Sequence, residues 1–121
     1  MGKVIDYFDD DTRLEGIFFP HESNANAPVV LVVPTYAGRD QFTLDKAKSM
    51  NNLGYSGFAV DMYGEGKTGS SPEENIELMN NVLSDRSKLQ KRMLSAIDAV
   101  KSEAGVDNSK IAIIGFCFGG L

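Results

Sequence analysis

The chain is poor in the residues that make staples and metal sites: its 121 residues include one cysteine, Cys117, and one histidine, His21. A single cysteine excludes an internal disulfide and a cysteine zinc site, so any conspicuous role for Cys117 is that of a lone thiol. Long hydrophobic runs are lacking too. The longest, Ala27 to Val33, is interrupted by Pro28 and falls far short of the ~20 residues of a membrane helix, so it reads as a buried strand. Positive charge is in deficit, with 12 Lys and Arg against 17 Asp and Glu and a net charge of −5, which argues against a nucleic-acid partner. The N-terminal MGKVIDYFDD has acids where a signal peptide needs an apolar region, and Asp6 stands where a myristoylation signal needs Ser or Thr. These absences lead us to expect a cytoplasmic chain with no membrane partner. What is present, 42% apolar and 24% charged residues without an internal repeat, suits one globular domain with a modest core.

Two short apolar runs, Lys3 to Phe8 and Leu14 to Phe19, flank Asp9-Asp10-Asp11-Thr12 in the pattern of a hairpin. The triple aspartate lacks the alternate spacing and the glycine of a calcium loop, so it reads as a solvated turn and no metal is expected. Val29 to Val33 is an unbroken aliphatic run, the mark of a strand covered on both faces in a parallel sheet, and Pro34 ends it. Phe42, Leu44, Ala47, Met50 and Leu53 approximate helical spacing up to Gly54, and Gly57 to Val60 is a second buried strand leading to Asp61. Ser71-Pro72-Glu73-Glu74 is a capping box that opens a helix with Ile76, Met79 and Leu83 along one face. Ser84 or Asp85 recaps, and Leu89, Met93, Ile97 and Val100 carry an apolar stripe to about Ala104, with Met79 and Met93 as core filler. After a turn at Gly105, Asp107 and Asn108, Ile111 to Ile114 is a third buried strand. Strands alternating with helices predict an α/β fold: an open, mostly parallel sheet with an antiparallel N-terminal hairpin at one edge. Function is then expected on the loops at the strand C-termini.

Gly64-Glu65-Gly66-Lys67-Thr68-Gly69 matches G-x-G-x-x-G after a strand, yet Ser70, Ser71 and Pro72 delay the helix that a dinucleotide fingerprint needs. Its Gly66-Lys67-Thr68 ending would place the first P-loop glycine at Asp61. The stretch reads as a flexible polar loop, and no cofactor is expected. Gly115-Phe116-Cys117-Phe118-Gly119 is different: it is G-x-nucleophile-x-G between a buried strand and the expected start of a helix. A sharp strand-to-helix turn exposes the nucleophile, while Gly115 and Gly119 let neighbouring elements pass without a clash. A free thiol, with a pKa of about 8.5, is only ~3% thiolate at pH 7, and a helix N-terminus aimed at it raises that fraction. The Phe118 amide would point at a developing oxyanion. The plainer alternative makes Cys117 a small buried hydrophobe and the glycines turn residues.

With the elbow, the Gly57 to Tyr63 segment and Val106-Asp107-Asn108-Ser109-Lys110-Ile111 taken together, the chain resembles the dienelactone hydrolase family, the carboxymethylenebutenolidase-like α/β-hydrolases. That family uses a cysteine in a G-x-C-x-G-G elbow, matched here by Gly115-Phe116-Cys117-Phe118-Gly119-Gly120, and Asp61-Met62-Tyr63-Gly64 is similar to its D-x-Y segment. The resemblance implies that residues 1–121 are the N-terminal part of one α/β-hydrolase domain, ending at the nucleophile elbow. It implies Cys117 as nucleophile, oxyanion donors from the Tyr36 and Phe118 amides, and a cofactor-independent hydrolysis of a small ester, lactone or thioester. Thr35, Tyr63, Glu65 and Lys67 form the implied substrate loop. Thr35 stands where dienelactone-cleaving members carry a glutamate, and Glu65 where they carry a carboxylate-binding arginine, for which Lys67 could compensate.

In the family the acid and the histidine follow the elbow, and neither lies in the four residues after Cys117, so the 121 residues by themselves are expected to be nearly inert. His21 lies on the wrong side of Cys117 for the nucleophile-acid-histidine order and reads as a solvated loop residue, and Asp61 resembles a structural aspartate of the family. The family's sheet order would leave Ile111 to Ile114 as a bare apolar edge, and pairing of two copies through this strand is expected. Two alternatives stand beside the hydrolase. One is a flavodoxin-like cysteine-elbow amidase or chaperone, in which a histidine usually follows the cysteine where Phe118 stands here; the other is a non-catalytic assembly module.

Overall fold

A computed structural model describes residues 2–22, 27–103 and 110–115. The order of elements is β1 (Lys3–Asp9), β2 (Thr12–Phe19), β3 (Val29–Val33), α1 (Gln41–Ser49) with a 3-10 turn at Met50–Leu53, β4 (Ser56–Ala59), α2 (Pro72–Leu83), α3 (Arg86–Lys101) and β5 (Ile111–Gly115). The strands form one sheet in the order β1-β2-β4-β3-β5. β1 and β2 are the expected antiparallel hairpin, with Lys3 opposite Phe18 and Asp9 opposite Thr12, and β2 runs antiparallel to β4. β4, β3 and β5 are mutually parallel, which sends the loops after β3 and β4 out of the same end of the sheet.

The parity of β3 organises the core. Val29, Leu31 and Val33 face one side, with Val82 of α2 and Ala96 and Val100 of α3, while Val30 and Val32 face the other, with Ala47 of α1. All five β3 residues are buried, as an aliphatic run covered on both faces requires. α1 lies close enough to β4 that a Cβ at Gly57 would collide with the Ala47 carbonyl, so only glycine fits there.

Several expectations shift. The first two strands extend beyond the apolar runs, to Asp9 and from Thr12, and the predicted Gly57 to Val60 strand is Ser56–Ala59. Asp9 is not in the solvated turn. The alternation of β1 buries every second residue from Ile5, so Asp9 points inward, where Arg92 of α3 donates to it from Nε at 3.0 Å. Asp10, at φ 51°, makes the turn instead. On α1 the buried residues are Thr43 and Ala47, whereas Phe42 is exposed, as is Leu53 in the tightened turn that Gly54 ends at φ 92°. On α2 Ile76 is exposed, and Leu78, Met79, Val82 and Leu83 meet the core. Asp85 recaps the chain by accepting from the Ser87 and Lys88 amides at 3.0 and 3.3 Å, and α3 then packs Leu89, Met93, Ile97 and Val100 as predicted. Ser71 accepts from the Glu74 amide at 3.2 Å, while the Glu74 carboxylate reaches back to the Ser70 amide, one residue before the partner a standard capping box uses.

β5 pairs with β3 on one side, and Ala112 and Ile113 are exposed, Ile113 by 49%. Among the described residues no helix is long and apolar enough to cross a membrane.

Candidate active site

Two loops meet at the C-terminal end of the parallel strands, Pro34–Asp40 after β3 and Val60–Ser70 after β4. The second is built around the Asp61 carboxylate, which is fully buried and accepts four backbone amides: Glu15 at 2.9 Å, Tyr63 at 3.0 Å, Gly64 at 3.0 Å and Gly66 at 2.7 Å. Converging amides satisfy a buried carboxylate without a cation. Asp61 is thus committed to structure, consistent with its implied structural role. Wrapping the loop around one carboxylate demands left-handed turns, met by Gly64 at φ 104° and Gly66 at φ 70°, with Glu65 between them at φ 52°. The Tyr7 hydroxyl donates to the Asp61 carbonyl at 2.7 Å and accepts from its amide at 2.9 Å, and burial pushes the Tyr7 phenol well above its ordinary range.

The first loop is held differently. The Thr35 hydroxyl accepts from the Ala37 amide at 3.2 Å, and the Thr35 carbonyl from the Gly38 amide at 3.1 Å. The Ala37 carbonyl accepts from the Gly69 amide at 3.2 Å, which ties the two loops together. Tyr63 makes a second tie, its hydroxyl donating to the Tyr36 carbonyl at 2.8 Å. Burial pushes the Tyr63 phenol up to about 12, so it stays a donor through the physiological range. No hydrogen bond among the described residues is donated by the Tyr36 amide, the group implied as an oxyanion donor.

The implied site residues therefore separate. Tyr36 and Tyr63 are in contact, Thr35 shapes the Tyr36 loop, and Lys67 sits on the same loop as Tyr63. Glu65 is exposed, and its amide donates to the Arg13 carbonyl at 2.8 Å, so it belongs to the outer turn of the loop. Gly115 ends β5 level with Val33, at the same end of the sheet as Tyr36. Cys117, Phe118, Gly119 and Gly120 lie outside the described residues. His21 is half-buried at the opposite end of the sheet, its amide donating to the Ser56 hydroxyl at 3.0 Å. Among the described residues no group of three His, Cys, Asp or Glu side chains could hold a metal ion.

Sequence reasoning missed two cations that fix this end of the molecule. Arg39 donates from Nε to the Glu15 carbonyl at 2.7 Å and from Nη2 to the Glu15 carboxylate at 3.2 Å, and its guanidinium occupies the space where a Cβ at Gly66 would lie. Arg92, besides holding Asp9, donates from Nη1 to the Met62 carbonyl at 2.6 Å. Neither has a sequence signal, since each looks like an ordinary surface charge of a loop or helix.

A model of the "Dienelactone hydrolase family" matches residues 15–121. A protein from Bradyrhizobium described as a probable 2-oxo-3-(5-oxofuran-2-ylidene)propanoate lactonase is 29% identical over 94 residues, 77% of this chain and 38% of the lactonase. Among solved structures, the protein called m3DLH superposes with a TM-score of 0.91 at 28% identity over 99% of this chain. A dienelactone hydrolase-like promiscuous phosphotriesterase from metagenomic libraries superposes with a TM-score of 0.91 at 30% identity over the same share. The chain spans 50% of each of these two structures. With the family matched from the first hairpin through the Cys117 motif, and with the fold of its solved relatives, this chain belongs to the dienelactone hydrolase family.

Proposed function

We propose that the protein is a carboxylic ester hydrolase that cleaves an ester, lactone or thioester through Cys117. The observation that carries this reading is the family match, which spans Gly115-Phe116-Cys117-Phe118-Gly119-Gly120 and also the two loops described above. In the proposed reaction the Cys117 thiolate attacks the carbonyl carbon, and the carbonyl electron pair moves onto oxygen. The Tyr36 and Phe118 amides stabilise that oxyanion, each donor contributing ~2.7 to 4 kcal/mol. Collapse expels the leaving group, which takes up a proton and leaves a thioester on Cys117. Water then adds to the thioester, releasing the acid and returning the thiol.

The proton transfers call for a base, and neither described candidate suits: His21 is at the far end of the sheet and Asp61 is occupied by amides. The family's order places an acid and then a histidine after the nucleophile, so the 121 residues by themselves are read as nearly inert. The lactonase relative favours a lactone over an open ester. Turnover of p-nitrophenyl acetate by the intact protein tests the reading: Cys117→Ala is expected to lower kcat by at least about a thousandfold. An unchanged rate would remove Cys117 from the mechanism.

The exposure of Ile113 favours a second reading for the 121 residues alone, pairing of two copies along β5. Light scattering after size exclusion distinguishes the two states. A monomer at micromolar concentration sinks this reading and leaves the hydrolase reading untouched.

A further inference from the structure

A small cavity of about 120 Å³ opens beside the β4 loop, between α2 and α3, and its polar lining is of one sign. Lys67 reaches it from the loop, Lys88 and Arg92 from α3, and Asn81 from α2, with the Tyr63 ring and Val82 completing the wall. No carboxylate lines it, although the chain as a whole carries a net charge of −5.

The three cations are differently committed. Arg92 is fixed by Asp9 through Nε and by the Met62 carbonyl through Nη1, while its Nη2 makes no hydrogen bond among the described residues. Lys67 and Lys88 form no ion pair among the described residues. Lys88 stands in the first turn of α3, where its amide donates to the capping Asp85 carboxylate at 3.3 Å. Two ammonium groups and a held guanidinium therefore line one cavity, with the Asn81 amide beside them. At ~30 Å³ per water, the volume corresponds to about four waters, room for a carboxylate or a phosphate group but not for a nucleoside.

The geometry points to an oxyanion-binding pocket: Lys67, Lys88, Asn81 and Arg92 Nη2 hold a carboxylate or phosphate group. Tyr63 lines this pocket and also holds the Tyr36 carbonyl, so the anion would sit one side chain away from the loop after β3. The inference stands on the pocket itself and does not require the hydrolase reading.

Titration of the intact protein with sodium phosphate and, separately, sodium acetate tests it, at constant ionic strength set by sodium chloride and followed by the backbone amide resonances of Asn81, Lys88 and Arg92. Saturable shifts are expected with at least one anion. Phosphate alone identifies a phosphate group as the guest, acetate alone a carboxylate, and both a general oxyanion site. Lys67→Gln and Lys88→Gln should each weaken binding about tenfold, the scale of one charge-assisted hydrogen bond, while Lys88→Arg should retain it. Shifts that match the chloride control, or binding that survives the double glutamine variant unchanged, would overturn the proposal. Because nothing in the titration depends on Cys117, its failure leaves the hydrolase reading standing.

Discussion

The two loops at the C-terminal end of the sheet are built on opposite plans. The loop after β4 is bound from inside by one carboxylate, and nearly every polar group near Asp61 has a partner. The loop after β3 rests on its own short turns and on Tyr63, and its Tyr36 amide is left without a described acceptor. One loop is scaffold and the other is the face that scaffold presents. A site that stabilises transient charge needs donors not already engaged, and under the proposed function the Tyr36 amide is one.

The division is open to test by substitution, in decreasing order of expected effect. Asp61→Ala would leave four amides around an empty centre and should cost at least about 4 kcal/mol in urea unfolding, a large share of the ~5 to 15 kcal/mol of an ordinary domain. A small loss would mean that the β4 loop does not depend on its carboxylate. Arg92→Met leaves the buried Asp9 only the exposed Lys91 ammonium at 3.7 Å and should cost ~3 kcal/mol, whereas Asp9→Leu combined with Arg92→Met should recover part of that loss. Additive losses in the double variant would show that the pair is not what joins α3 to the hairpin.

Tyr63→Phe removes one of the two ties between the loops and should cost about 1 kcal/mol near neutral pH, the Gly69–Ala37 bond remaining. It also carries a pH signature. The folded phenol titrates at about 12 against an ordinary 10.0, so the folded state holds the proton more tightly. Its contribution is complete below pH 10.0 and is lost as pH rises toward 12. Tyr7 is raised in the same direction, so Tyr63→Phe should reduce the alkaline loss measured by thermal unfolding without abolishing it. Thr35→Val should have the smallest effect, about 0.5 to 1 kcal/mol, because its hydroxyl holds a single part-buried amide. An effect as large as that of Asp61→Ala would erase the contrast between the loops.

The sheet was legible from the sequence because its signals are periodic and local. The run Val29–Val33 shows two covered faces, and the flanks of Ser71-Pro72 and Asp85 hold the capping groups where the helices begin. Helix faces were less legible, since spacing alone does not say which of two adjacent stripes meets the sheet; Ile76 lost that place to Val82. The polar interior was hidden altogether. The partner of Asp9 is 83 residues away, and the amides around Asp61 come partly from β2, a pairing that only the sheet order creates. The G-x-C-x-G pattern at Cys117 is contiguous in the chain, whereas the cavity between α2 and α3 draws its cations from a loop and from a helix about twenty residues further on.

The Asp61 hub also sets an order in time. Its amide partner in Glu15 is 46 residues away, and the Tyr7 hydroxyl against its backbone is 54 residues away. Contacts across such separations close large loops of chain and form slowly compared with helix turns. The β4 loop cannot take its final shape until the hairpin has docked beside β4, and the Tyr63 tie to the β3 loop follows from that shape. Refolding should therefore show the helical signal of α2 and α3 before the fixed environment of Tyr63, with the C-terminal end of the parallel strands among the last parts to be assembled.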